Sequence, residues 1–153
     1  MTIQEITDPG QKQQITRAIL EALPAWFGIE EAREEYIRLS AGQPFFAAMD
    51  GDAPLGFLYL KETGRATAEL YVMGVLQPHH RTGIGRALFA AARQRAAQLG
   101  YSFLQVKTVQ TGHYPEYDAT NRFYLSLGFE EFEVFPTLWD EWNPCQVYVM
   151  ALG

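Results

Sequence analysis

The stretch Val75-Leu76-Gln77-Pro78-His79-His80-Arg81-Thr82-Gly83-Ile84-Gly85-Arg86-Ala87-Leu88 decides how this chain is read. It follows a strand-like run at residues 66–75 and opens an alanine-rich helix at residues 85–99, with Gly100 as its stop. Glycine lets the backbone approach a ligand and take positive φ where a side chain would clash. Consecutive N–H groups at a helix start form a concave anion site that the helix dipole reinforces. The local chemistry of residues 80–86 is therefore that of a phosphate cradle.

Charge points the same way. The chain carries 12 Lys+Arg against 18 Asp+Glu, a net charge of −6. Between Leu70 and Pro115 there is no carboxylate, only Arg81, Arg86, Arg93, Arg95 and Lys107, so the acidic excess lies wholly outside that segment. Such a segment presents itself to an anion or is a solvated basic helix face. Two familiar phosphate loops fail on spacing. A dinucleotide fingerprint needs a small residue where Leu88 stands and an acid where Lys107 lies. A Walker loop needs a hydroxyl after its lysine, and Gly85-Arg86-Ala87 has none.

Outward from the loop, strands are expected at residues 3–6, 45–49, 55–61, 66–75, 101–109, 130–135 and 146–151. Helices are expected at 9–23 (capped by Asp8), 29–39, 85–99 and 118–127 (capped by Asp118). Asp50-Gly51-Asp52 reads as a hairpin turn, and Thr63-Gly64-Arg65 as the next one. The strands around the long helix form a parallel βαβ pair. The implied class is α+β, a mixed sheet with helices on its faces.

At 153 residues and 48% hydrophobic content, one domain over residues 1–153 is expected. The opening residues lack a signal-peptide pattern, and no apolar run is long enough to span a membrane. A single cysteine, Cys145, precludes an internal disulfide and fits a reducing cytoplasm. Net acidity argues against nucleic-acid binding. His79, His80, His113 and Cys145 lack metal-site spacing, so no metal is expected.

With these residues in view, 75–88 resembles the acyl-coenzyme-A loop of the GNAT N-acetyltransferases, whose pattern is Gln or Arg, two residues, Gly, one residue, Gly or Ala. His80 stands where Gln or Arg is usual. Asp118-Ala119-Thr120-Asn121-Arg122-Phe123-Tyr124-Leu125-Ser126-Leu127-Gly128-Phe129 is similar to the family's short helix carrying Asn and Tyr and ending in Gly-Phe. The resemblance implies a mostly antiparallel sheet of about seven strands, a central parallel pair splayed for acyl-CoA, and about four flanking helices. It implies acetyl transfer from acetyl-CoA to a primary amine by direct attack on the thioester.

On this resemblance the diphosphate rests on His80, Arg81, Thr82, Gly83, Ile84, Gly85 and Arg86. Met73, Gly74 and Val75 offer backbone groups to the pantetheine arm, and Asn121 hydrogen-bonds it. Gly74 reads either as a special strand position or as a packing glycine. Tyr124 reads as the general acid for the leaving thiolate, or as a core aromatic. Glu69, the only carboxylate on its strand, reads as the general base or as an exposed charge, and by alternation it shares a face with Tyr71 and Met73. Residues 134–144 and the aromatics Trp26, Phe27 and Tyr36 read as acceptor pocket, dimer contact or loop packing. The expected acceptor is a small amine, with cationic ones favoured by the acidity outside the cofactor segment. A protein or peptide acceptor and a non-catalytic acyl-CoA sensor are the alternatives, and the chain is expected to be a monomer or homodimer in the cytoplasm.

Overall fold

A computed structural model describes residues 1–153. Strands that are apolar in the middle of the sheet and polar at its two edges, with four helices packed on them, build one seven-stranded sheet. The strands are β1 (Thr2–Ile6), β2 (Phe45–Asp50), β3 (Ala53–Gly64), β4 (Thr67–Val75), β5 (Phe103–Val109), β6 (Glu130–Phe135) and β7 (Cys145–Ala151). The helices are α1 (Pro9–Glu21), α2 (Glu30–Ser40), α3 (Ile84–Gln98) and α4 (Pro115–Ser126). No helix is long and apolar enough to cross a membrane.

Strand order is β1-β2-β3-β4-β5-β7-β6, and only β4 and β5 run parallel. The fold expected from the sequence is the one observed. Leu58, Leu60, Ala68, Leu70, Leu104 and Val106 turn toward α3 and α4, where Leu88, Phe89 and Ala92 meet them. Phe45, Phe57, Tyr59 and Val72 turn toward α1, against Ile15, Ile19 and Leu20.

One turn and one cap depart from expectation. The β3–β4 hairpin turns at Arg65 and Ala66, with Gly64 paired to Thr67, because β3 continues past Lys61. Helix α4 begins at Pro115, whose fixed φ suits the first helical position. Asp118 therefore lies inside the first turn rather than capping it, and its carboxylate accepts the Gly112 amide at 2.8 Å. Asp8 does cap α1, accepting the Gln11 amide at 2.8 Å.

Candidate active site

Parallel pairing between β4 and β5 lasts only from Thr67↔Phe103 to Glu69↔Gln105. Beyond it β4 stays paired to β3 as far as Val75, and β5 to β7 as far as Val109. Both strands thus continue with a free edge facing a widening gap. The divergence coincides with a bulge: Tyr59 pairs with Val72 but Leu60 with Leu70, leaving Tyr71 as the extra residue of β4.

The bulge corrects the expected alternation. Glu69 and Tyr71 share the α1/α2 face, as Tyr71 packs with Tyr36 and Tyr59 there. Met73 is returned to the opposite face, against the α3 core. Gly74 keeps an ordinary strand φ, and a Cβ on it would lie 2.9 Å from Ile19 Cγ2 and 3.0 Å from Leu23 Cδ1. It is the packing glycine that seats α1 on β4.

At the far end of β4 the chain makes one 3-10 turn, Gln77–His79, and enters the glycine loop. Arg81 is the only non-glycine residue with positive φ, +63°, and Gly83 follows at +88° as the N-cap of α3. Alternating handedness of this kind turns successive amides inward. The N–H groups of residues 81–86 find no acceptor within the chain, backbone or side chain. No acidic residue stands in the first turn of α3. A Cβ on Gly85 would lie 2.9 Å from Met73 Cε and 3.0 Å from Phe123 Cζ, so loop, strand and α4 meet there with no room to spare. The loop fits a diphosphate: it offers donors, a helix N-terminus and no competing carboxylate.

His80 is turned away from the cradle. Its Nε2 lies 2.6 Å from the Val75 carbonyl, which can only accept, so that nitrogen carries the proton. The ring also stands edge-on to Trp26, with centroids 5.5 Å apart. His80 pins the exit of β4 to the α1–α2 connection. Thr82 donates back to the His79 carbonyl, and Arg86 reaches Ser126 at 3.0 Å, tying α3 to α4.

Asn121 is 1% exposed and its amide group is fully engaged. Its Nδ2 donates to the carbonyls of Val109 and Tyr117, and its Oδ1 accepts the Tyr148 hydroxyl. It anchors α4 to the end of β5, where β4 has withdrawn. Tyr124, one turn later, is 8% exposed and packs against Phe123, Phe129 and Tyr148. Its hydroxyl makes no hydrogen bond within the chain. Burial, and next the negative charge of Glu69, raise its pKa, so the proton stays on oxygen through neutral pH.

On the opposite side of the gap Glu69 is 5% exposed and accepts Lys107 Nζ at 2.7 Å. Around it stand Tyr36 and Tyr71, 5.9 Å apart in an edge-to-face pair, and Tyr59, whose hydroxyl donates to the Tyr36 carbonyl. Tyr117 donates to the Trp26 carbonyl at 3.2 Å, closing α4 onto the α1–α2 connection. Burial raises the hydroxyl pKa of Tyr36 and of Tyr71, with Glu69 adding to both.

The structure thus gathers Glu69, Tyr124, Asn121 and the loop around one gap. Sequence reading placed Tyr71 beside Glu69 but missed Lys107 as Glu69's partner and Tyr117 on the cleft wall. Lys107 had one visible signal, an isolated cation in the apolar strand of residues 103–109. In the 134–144 tract, Asp140 accepts the amides of Trp142 and Asn143, while Trp139 and Trp142 remain exposed. The tract joins β5 where Gln110 donates to the Pro144 carbonyl. No cluster of His, Cys, Asp and Glu converges as a metal site.

Comparison with known proteins bears on this geometry. No curated protein matches the chain in sequence. Among solved structures, a GNAT-family protein from Desulfovibrio desulfuricans superposes with a TM-score of 0.83, at 20% identity and 99% coverage of each chain. An aminoglycoside 6'-N-acetyltransferase complexed with coenzyme A gives 0.76 at 17% identity, over 100% of this chain and 98% of that one. A ribosomal-protein-alanine N-acetyltransferase from Brucella melitensis gives 0.75 at 18%, over 99% of each. At these identities the likeness is one of fold. The family model described as an acetyltransferase (GNAT) domain matches residues 40–131, from the end of α2 through β6's first residues. With that match, the splayed pair and the cradle ahead of α3 are accounted for together: this chain belongs to the GNAT acetyltransferase family.

Proposed function

We propose that the chain, as one N-acetyltransferase domain over residues 1–153, acetylates the primary amine of a small molecule. The acyl donor is acetyl-CoA, which supplies the acetyl thioester when bound. The observation that carries the reading is the path from the unpartnered amides of residues 81–86 into a gap with Glu69 on one side and the Tyr124 hydroxyl on the other.

The cradle of Arg81, Thr82, Gly83, Ile84, Gly85 and Arg86 would hold the diphosphate, with the α3 dipole adding to the attraction. The edge of β4 along Met73, Gly74 and Val75, where His80 already holds the Val75 carbonyl, and the free edge of β5 would receive the pantetheine amides as a strand receives a neighbour. His80 keeps the end of β4 in place for this and is a positioning residue. Asn121, already engaged with β5, acts by holding α4 rather than by donating to the arm.

Acetyl transfer takes two protons off the ammonium nitrogen and delivers one to the sulfur. Glu69 takes the proton of the acceptor's ammonium, directly or through water, freeing the nitrogen lone pair. As the C–N bond forms and the C–S bond breaks, Tyr124 would give its hydroxyl proton to the departing sulfur, and the second proton lost by the nitrogen would return through water to the Tyr124 oxygen. The acceptor enters from the α1/α2 face, where Trp26, Tyr36, Tyr71 and Tyr117 line the approach to Glu69. Fixed geometry is the main source of rate.

The test is calorimetry with coenzyme A followed by thiol release from acetyl-CoA over a panel of polyamines, aminoglycosides, amino acids and peptides. Binding with turnover of small amines supports the proposal. Turnover of peptides alone would move the acceptor to protein, and binding without any turnover would make the chain an acyl-CoA sensor.

A further inference from the structure

The floor of the acceptor cleft carries more positive than negative charge, although the chain as a whole is acidic. Lys61 on β3 lies directly across from Glu69 in the antiparallel register, so both side chains share the α1/α2 face. Lys107 on β5 faces the same way and bonds Glu69 from the other side at 2.7 Å. One carboxylate is thus flanked by two ammonium groups. Lys61 makes no ion pair and sits 4.7 Å above the Tyr71 ring, on the cleft wall. Lys107 bonds nothing but Glu69, and its side chain is 29% exposed, so part of it remains open. The next carboxylate, Glu35 at the rim, is held by Arg38 in a two-point pair and its charge also reaches Lys61, so Lys61, Lys107 and Arg38 stand against two carboxylates and the excess stays positive.

An ammonium arriving at Glu69 would place a third cation beside one carboxylate. A cleft of low polarity makes such crowding unfavourable unless the arriving molecule brings an anion of its own. We propose that the acceptor is an amino acid or a close analogue, a primary amine bearing a carboxylate near its nitrogen, with Lys61 and Lys107 as the residues that recognise the carboxylate. The ammonium takes Glu69 and the carboxylate takes the free N–H groups of the lysines. Half-buried aromatic walls from Trp26, Tyr36, Tyr71 and Tyr117 leave an apolar surface for the side chain. The inference rests on the acetyltransferase reading above and narrows its acceptor class.

The experiment measures thiol release from acetyl-CoA by the full chain with matched pairs: an amino acid and the amine that lacks only its carboxylate, for aromatic and aliphatic side chains. The carboxylate-bearing member of at least one pair is expected to show kcat/KM higher by about tenfold or more, the ratio of one well-made charged contact. That ratio is expected to fall toward one in Lys61→Met and in Lys107→Gln. Loss of folded protein would lower both members of a pair and leave the ratio alone. Equal or better turnover of the carboxylate-free amines overturns the proposal while leaving the acetyltransferase reading intact. A ratio that survives in the Lys61→Met/Lys107→Gln double variant overturns the role of the lysines. Turnover of neither series, with coenzyme A binding retained, overturns the small-amine reading itself and this proposal with it.

Discussion

The face of β4 turned toward α3 and α4 carries Ala68, Leu70, Met73 and Val75, whereas the face turned toward α1 and α2 carries Glu69, Tyr71, Val72 and Gly74. The first meets a continuous apolar core that includes the ring of Tyr124. The second begins with the Glu69–Lys107 ion pair and passes through stacked and edge-on aromatics. One strand therefore separates a closed apolar core from an open side lined by a charged pair and aromatic rings. The bulge at Tyr71 makes the contrast possible, because strict alternation would have put Met73 on the polar side.

The comparison breaks first at the loop. Replacing Gly83 and Gly85 together by Val forces a branched side chain into φ +88° and drives another into Met73 and Phe123. Calorimetry should show coenzyme A affinity reduced by about a hundredfold or more, the loss of two or more charge-assisted contacts. On the polar face, Glu69→Gln should lower kcat by about a hundredfold and move the pH–rate profile to higher pH, since only amine that is already neutral then reacts. On the apolar face, Tyr124→Phe should lower kcat by about tenfold to a hundredfold with coenzyme A affinity unchanged. An unchanged kcat would leave Tyr124 as core packing and erase the division of labour between the faces.

Two predictions concern stability. Asn121→Ala leaves the Val109 carbonyl and the Tyr148 hydroxyl without their partner, a loss of about 2–3 kcal/mol readable by denaturant unfolding. The smallest effect belongs to Cys145, on β7 beside Lys107's strand. Burial pushes its thiol from an ordinary 9.0 up to about 11. The folded state then holds a proton that the unfolded chain releases, so stability is full below about pH 9 and declines as pH rises toward about 11. Cys145→Ala should flatten that part of the stability profile relative to the parent.

Much of this was legible in the residues themselves. The strand-loop-helix unit at 66–99 announced itself through glycine placement, periodicity and the absence of carboxylates, all local properties. The element order followed from it. What escaped depended on the pairing of distant strands. A bulge leaves no mark in composition, so Tyr71 was placed by alternation, which served Tyr71 but misplaced Met73. The Glu69–Lys107 pair joins residues 38 positions apart and exists only because two strands meet in parallel. Asp118 misled in the other direction: a good capping residue in a good position lost to Pro115 three residues earlier.

The parting of β4 and β5 leaves two strand edges in the middle of the sheet instead of at its rim. An exposed rim invites other polypeptides to add themselves, with aggregation as the hazard. Here the inviting groups line a narrow wedge roofed by α4, which a folded neighbour is too broad to enter. Only something as slender as a single extended chain of atoms can satisfy them, so the feature that opens the sheet also screens what is admitted.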